Sequence, residues 1–246
     1  WVAHGGYNEK WIFNNRPDGF SSYNSEKWTQ YKLYDYRPFG DTILDFIRII
    51  KGPDNNVYAA SYGSGLFVLK ADGTTELYKQ NSILDDSYTA RGKYLATGLA
   101  FDNAGNLWIT MFGGDKELAV RTREGNWYEF EVPPIRPILH SAANIIIDDN
   151  DLKWYIAPLG GGVIVYDDGG TIENRNDDKY LNLLSGKGIG GLPDNEVFSI
   201  AKDKTGSIWI GTANGIGIVS CPNQVLDRRC EAEMRIVQYD DFAGYL

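Results

Sequence analysis

Leu192-Pro193-Asp194-Asn195-Glu196-Val197-Phe198-Ser199-Ile200-Ala201-Lys202-Asp203-Lys204-Thr205-Gly206-Ser207-Ile208-Trp209-Ile210-Gly211-Thr212-Ala213-Asn214-Gly215-Ile216-Gly217-Ile218-Val219-Ser220 is the stretch on which the fold turns. It reads as three short strands. Val197–Ala201 is mostly apolar, and Asp203-Lys204-Thr205-Gly206 is a turn in which glycine supplies the positive φ. Ile208–Gly211 is a second strand carrying a tryptophan, Ala213-Asn214-Gly215 reverses the chain again, and Ile216–Ser220 is the third strand.

The same grammar recurs upstream. Taking the second-strand aromatic as an anchor, Tyr58, Trp108, Trp154 and Trp209 follow one another roughly every fifty residues. A turn or acidic residue stands six positions before each anchor: Gly52, Asp102, Asp148 and Asp203. Glycines open the third strand of each unit (Gly63 and Gly65, Gly113-Gly114, Gly160-Gly161-Gly162, Gly215), and polar linkers lead to fourth strands at Thr75–Tyr78, Trp127–Val132, Tyr180–Leu183 and Met234–Tyr239. Four short antiparallel strands per unit is the signature of a β-propeller blade. One such sheet cannot bury both faces alone, so blades stack radially and the anchor aromatic fills the space between neighbours.

The fold expectation is therefore all-β: a propeller of four-stranded antiparallel blades, with about five blades over residues 1–246. The expected bounds are 1–40, 41–90, 91–138, 139–191 and 192–246. Trp1-Val2-Ala3 resembles Trp209-Ile210-Gly211, so the first blade opens at its second strand, with Lys10–Phe13 and Trp28–Tyr31 as its third and fourth. This implies a piece of a larger ring; circular closure of five blades with one strand omitted is the alternative.

Composition narrows the function classes. The 246 residues are 43% hydrophobic and 13% aromatic, and no long segment shows helical spacing, so helix is minor. A formal net charge of -9 disfavours a nucleic-acid groove or an anionic membrane surface, both of which need clustered Lys and Arg. No apolar run is long enough to insert in a bilayer, and Trp1-Val2-Ala3-His4 is unlike the start of a signal peptide. Cys221 and Cys230 bracket a polar loop. They read either as a disulfide, implying an oxidising compartment, or as two unpaired thiols; without a histidine cluster they make no zinc site.

Leu192-Pro193-x-Asn195, Asp203-x-x-Gly206, Trp209-Ile210-Gly211-Thr212 and Asn214-Gly215 together resemble the two-component-regulator propeller repeat. The likeness is close in this last unit, partial at 99–114, and weaker where Tyr58 replaces Trp, where Asp151 replaces the turn glycine and where Lys153 interrupts the second strand. Such repeats build the extracytoplasmic sensor halves of hybrid two-component systems in Bacteroidetes and the surface propeller of the type IX secretion sortase complex. The resemblance implies a non-catalytic, periplasmic or cell-surface binding module, either secretion-associated or the glycan-sensing half of a regulator. Similarity of the Gly-Asn-Leu-Trp unit to streptogramin-lyase propellers keeps an enzyme as the third reading.

In a propeller, the loops leading into the innermost strands and those joining second to third strands share one end, and loops escape the packing demands of sheets. The lead-in loops offer Tyr88, Arg91, Tyr94, Arg136 and His140; the second-to-third loops offer His4, Tyr62, Phe112 and Asn214. Aromatic faces, forked arginines and amides suit a glycan or a protein partner. The alternative for each is an ordinary loop residue. His4 and His140 lack the partner motif of a general base. Asp148-Asp149-Asn150-Asp151 lacks the glycine and late glutamate of a calcium loop and reads as an Asx turn. Gly186-Lys187-Gly188 has no Ser/Thr after the lysine and no following helix, so it is not a phosphate loop. No catalytic residue, metal or cofactor is expected.

Overall fold

The computed structural model describes residues 1–8, 10–32, 43–79, 82–84, 86–132, 141–234, 236–239 and 242–245. Two compact units result, Trp1–Glu131 and Val132–Leu246.

In the first unit, β1 (Val2–Ala3), β2 (Phe20–Asn24) and β3 (Lys27–Tyr31) form a three-stranded antiparallel sheet. Two four-stranded meanders follow. β4 (Phe46–Lys51), β5 (Val57–Gly63), β6 (Gly65–Leu69) and β7 (Thr75–Tyr78) make one blade; β8 (Tyr94–Phe101), β9 (Leu107–Met111), β10 (Leu118–Arg121) and β11 (Trp127–Phe130) make the next. The end of β5 pairs with the start of β8 through Tyr62↔Leu95 and Gly63↔Tyr94, which joins the two blades at one end.

The second unit repeats the pattern with β12 (Ile145–Ile147), β13 (Lys153–Ile156), β14 (Val163–Asp167) and β15 (Lys179–Leu183), then β16 (Val197–Lys202), β17 (Ile208–Thr212), β18 (Gly215–Val219) and β19 (Glu233–Met234). β20 (Ile236–Tyr239) does not extend β19's blade; it pairs with β21 (Phe242–Tyr245) as a separate hairpin. A short 3-10 turn at Pro222–Gln224 lies inside the loop closed by the Cys221–Cys230 disulfide.

The six-residue spacing has a local cause. In each of three blades the aspartate carboxylate accepts a turn N–H with Oδ1 and the anchor's indole N–H with Oδ2. Asp102 takes Asn106 N–H at 2.7 Å and Trp108 Nε1 at 2.9 Å. Asp148 takes Leu152 N–H at 3.0 Å and Trp154 Nε1 at 2.9 Å, and Asp203 takes Ser207 N–H at 3.0 Å and Trp209 Nε1 at 2.8 Å. One side chain thus closes the turn and satisfies a donor that burial would otherwise strand. Three residues before each anchor the backbone is left-handed: φ is 65° at Asn55, 86° at Gly105, 65° at Asp151 and 86° at Gly206. Asp151 stands for glycine here because short polar side chains tolerate that region.

In the second blade, where Gly52 stands at that spacing, Asp54 accepts the Tyr58 hydroxyl at 2.6 Å. One expectation is corrected. The third strand of the first blade is Phe20–Asn24, not Lys10–Phe13. Asn8 Oδ1 accepts the N–H groups of Lys10 and Ile12, which folds that segment into a turn, and Phe20 takes the core place instead, stacked on Tyr31 at 5.1 Å.

Candidate binding site: an aromatic loop cluster

The loop from His4 to Gly19 is fastened by a residue of the next blade. Asp45, fully buried and left-handed at φ 51°, accepts Asn15 N–H at 2.8 Å and Arg16 N–H at 2.9 Å through its carboxylate. Its own N–H donates to the Arg16 carbonyl and its carbonyl accepts Tyr62 N–H, both at 2.9 Å. This fixed frame delivers three aromatics, Tyr7, Trp11 and Phe13, to the second-to-third loops of the following blades.

There they meet Tyr62 and Phe112. Trp11 stacks on Tyr7 at 4.3 Å and 20° and on Phe112 at 5.1 Å and 14°. The Tyr62 ring lies 5.0 Å from Tyr7 and 5.2 Å from Phe13, and its hydroxyl donates to the Trp11 carbonyl at 2.9 Å. Leu95 and Ile47 complete the packing. Trp11 itself is left-handed at φ 59°, a conformation costly for a bulky residue and held only because its neighbours fix both ring and carbonyl. Beside it Ile12 is exposed.

Burial pushes the Tyr62 hydroxyl above the ordinary phenol range, with a smaller push from Tyr7. Tyr7 is also raised by burial, and Arg48 partly offsets this. The cluster therefore offers rings and neutral hydroxyls rather than an acid–base pair near neutral pH.

Tyr62 and Phe112 are thus brought together, but as buried supports. Tyr88 is exposed on the adjoining lead-in loop, and its N–H donates to Gly113 at 2.7 Å, tying that loop to the one after Phe112. Arg91 is exposed on the same loop. Tyr94 is half-buried in β8 and packs on the core between the second and third blades. His4 sits apart, its Nδ1 donating to the Asp18 carbonyl at 3.2 Å. Asn214, in the second unit, donates from Nδ2 to Asp194 at 2.6 Å. Arg136 and His140 lie outside the described residues. Tyr7, Trp11 and Phe13 were not singled out from sequence; three aromatics within seven residues of a glycine- and asparagine-rich loop were the available signal.

In the second unit the Leu-Pro-x-Asn lead-in has a structural task. Asn195 Oδ1 accepts Ser185 N–H at 2.7 Å and its carbonyl accepts Gly162 N–H at 3.1 Å, stapling the last blade's lead-in to two loops of the preceding blade. Among the described residues, no group of three or more His, Cys, Asp or Glu is placed to hold a metal ion.

Sheets of this kind with an aromatic loop end define a β-propeller module. Residues 191–214 match the family described as Two component regulator propeller, so the last complete blade carries that repeat. The chain is similar to PorZ, an essential bacterial surface component of the type-IX secretion system of Porphyromonas gingivalis, with a TM-score of 0.80 and 23% identity over 99% of this chain and 34% of that one. It is also similar to the extracellular domain of a chain described as a hybrid two component system from B. thetaiotaomicron (TM-score 0.61, 13% identity, 94% of this chain and 32% of that one). Virginiamycin B lyase from Staphylococcus aureus shares the fold as well (TM-score 0.62, 15% identity, 90% of this chain and 64% of that one). At these identities the likeness is one of fold, and the chain spans about a third of the first two proteins. No curated protein sequence matches the chain.

Proposed function

We propose that this propeller is a non-catalytic extracytoplasmic module that binds a protein or glycan partner through the loop end of its first unit. The observation that carries this reading is Trp11, a strained tryptophan clamped between two rings on a buttressed loop next to the exposed Ile12, with Tyr88 and Arg91 exposed on the loop tied to Gly113. Side chains held in place before binding lose little entropy on contact, so stability invested in Asp45 and Tyr62 returns as affinity. The surface and extracellular settings of two fold relatives support the location, and a disulfide fits an oxidising compartment. Neither nucleic acid nor bilayer insertion is part of the proposal. The acidic net charge argues against the first, and no helix among the described residues is long and apolar enough to cross a membrane.

A second reading, the ligand-sensing half of a regulator, is favoured by the family match at 191–214. Biolayer interferometry against purified cell-surface polysaccharide and solubilised outer-membrane proteins tests the loop end directly. Trp11→Gly, which suits the left-handed backbone, and Tyr88→Ala are each expected to weaken binding about tenfold, or ~1.4 kcal/mol. Full binding by both variants, with far-UV dichroism unchanged, overturns the assignment to this end.

A further inference from the structure

Four positions in the second and third blades break the repeat, and three of them, Asp54, Tyr58 and Arg121, line one cleft. Where three blades carry an aspartate six residues before the anchor, the second blade has Gly52, with Tyr58 as anchor and the acid moved to Asp54. Gly52 admits no side chain: a Cβ there would lie 2.6 Å from Asp54 Oδ1, 2.8 Å from the Tyr58 ring and 2.9 Å from the Phe101 ring. The fourth departure is Arg121. Its partner across the sheet is Leu107, and the residues that pair with the matching positions of other blades are Leu69, Tyr166 and Val219, all buried. A guanidinium thus stands where the repeat otherwise places a core side chain.

The cleft has a volume of about 410 Å³ and is walled by the first-to-second turns of the second and third blades and by the third-to-fourth turn of the third. Those turns lie at the opposite end of the sheets from the aromatic loop cluster. Lys51, Arg121 and Arg123 bring cations to the wall; Asp54 and Asp102 bring carboxylates. Both carboxylates are engaged internally, Asp54 by Tyr58 and Asn56, Asp102 by Trp108 and Asn106. Glu76, whose charge also reaches Arg121, is held by Lys70 and the Tyr78 hydroxyl. Among the described residues none of the three cations forms a salt bridge, and Arg121 Nε is buried without an acceptor. The Arg121 guanidinium lies 5.7 Å over the Tyr78 ring and gives one of its donors to the Tyr78 hydroxyl, which leaves the others for a ligand.

A forked, oriented guanidinium with spare donors matches a carboxylate bidentately, and the volume is within the range of small-ligand pockets. We propose that this cleft binds a small sugar acid, with its carboxylate on Arg121 and Arg123 and its ring against Pro53 and Phe101. The site is independent of the loop cluster and of any partner bound there.

Titration of the ¹⁵N-labelled protein with D-galacturonate, D-galactose and sulfate tests the proposal. Galacturonate is expected to shift the amides of the 51–54, 102–106 and 121–125 segments saturably, in the millimolar range, while galactose leaves them in place. Arg121→Leu, which installs the residue the second blade uses at that position, should weaken galacturonate at least about tenfold while retaining the fold. Arg123→Gln, on an exposed turn, should also weaken it and serves if Arg121→Leu does not fold. The proposal is overturned if galacturonate produces no saturable shift there, if galactose or sulfate reproduces the shift, or if the variants bind as the parent does.

Discussion

Replacing Asp102 by alanine tests whether the acid–turn–aromatic clasp holds a blade together. The carboxylate is buried and accepts three hydrogen bonds: Asn106 N–H at 2.7 Å, Asn106 Nδ2 at 2.8 Å and Trp108 Nε1 at 2.9 Å. Trp108 has 0% exposure, so no water can replace the acceptor at its indole, and that stranded donor alone costs about 1–3 kcal/mol. The two Asn106 groups, on a residue only 8% exposed, lose the same acceptor. The total is about 3–5 kcal/mol, at the high end for a single substitution. Trp108→Phe removes the donor, so Asp102→Ala in that background should cost less, with a coupling of about 1–2 kcal/mol. Because the two units need not unfold together, native-state hydrogen exchange of the Leu107–Met111 amides is the suitable readout, alongside urea unfolding. Asp203→Ala should cost less than Asp102→Ala, since Trp209 is only half-buried and water can reach it. A loss under ~1 kcal/mol for Asp102→Ala, or no coupling to Trp108, would refute the clasp as the source of the spacing.

Lys153 has 0% exposure and its Nζ lies 2.8 Å from Asp168, itself 6% exposed, and 3.3 Å from Asp151. Lys153→Met leaves the Asp168 carboxylate buried without its cation and should destabilise the second unit by about 3–5 kcal/mol. Adding Asp168→Asn should restore at least half of that in thermal unfolding, and a double variant no better than the single one refutes the pairing. For Asp203, hydrogen bonds from the Thr205 hydroxyl and then Trp209 hold the carboxyl down at about 2, from an ordinary 3.8. A depressed folded-state value means the contribution is complete above the unfolded value and is lost as pH falls from about 4 through about 2. NMR titration of the Asp203 carboxyl should show the low midpoint, and Thr205→Val should raise it; an ordinary midpoint in the parent protein would contradict the geometry.

What was legible in the sequence is what a few neighbouring residues decide. Asp102, Gly105 and Trp108 close their interactions within one turn, so their spacing survives as a pattern that can be read without coordinates. Lys10–Phe13 was illegible because the apolar, aromatic-rich run Trp11-Ile12-Phe13 imitates a buried strand. Its true conformation depends on Asn8 locally and on Asp45, Tyr62 and Phe112 far along the chain. The candidate site suffered in the same way. Tyr62 and Phe112 read as loop residues from their positions, but burial makes them the floor under Trp11, a residue hidden inside the misread strand. Arg121 was overlooked because a strand-end arginine is unremarkable until the sheet shows that its counterparts are core side chains.

The two departures from regularity point the same way. A repeat that only had to stack would keep its anchors and leave its loops short. This chain instead inserts a long loop in the first blade and fixes it with Asp45, a fully buried carboxylate on a left-handed backbone. In the second and third blades it gives up an aspartate and a core apolar residue, and an arginine stands at a cleft where neighbouring sheets meet. Each change costs stability locally, and regular clasps such as that at Asp102 supply it elsewhere in the same unit. Rigid sheets make such irregularity tolerable, because a strained loop or a half-satisfied guanidinium on a firm frame keeps its geometry rather than relaxing. Recognition chemistry is therefore expected at the ends of the sheets, where the repeat is broken, and not on the anchors that define it.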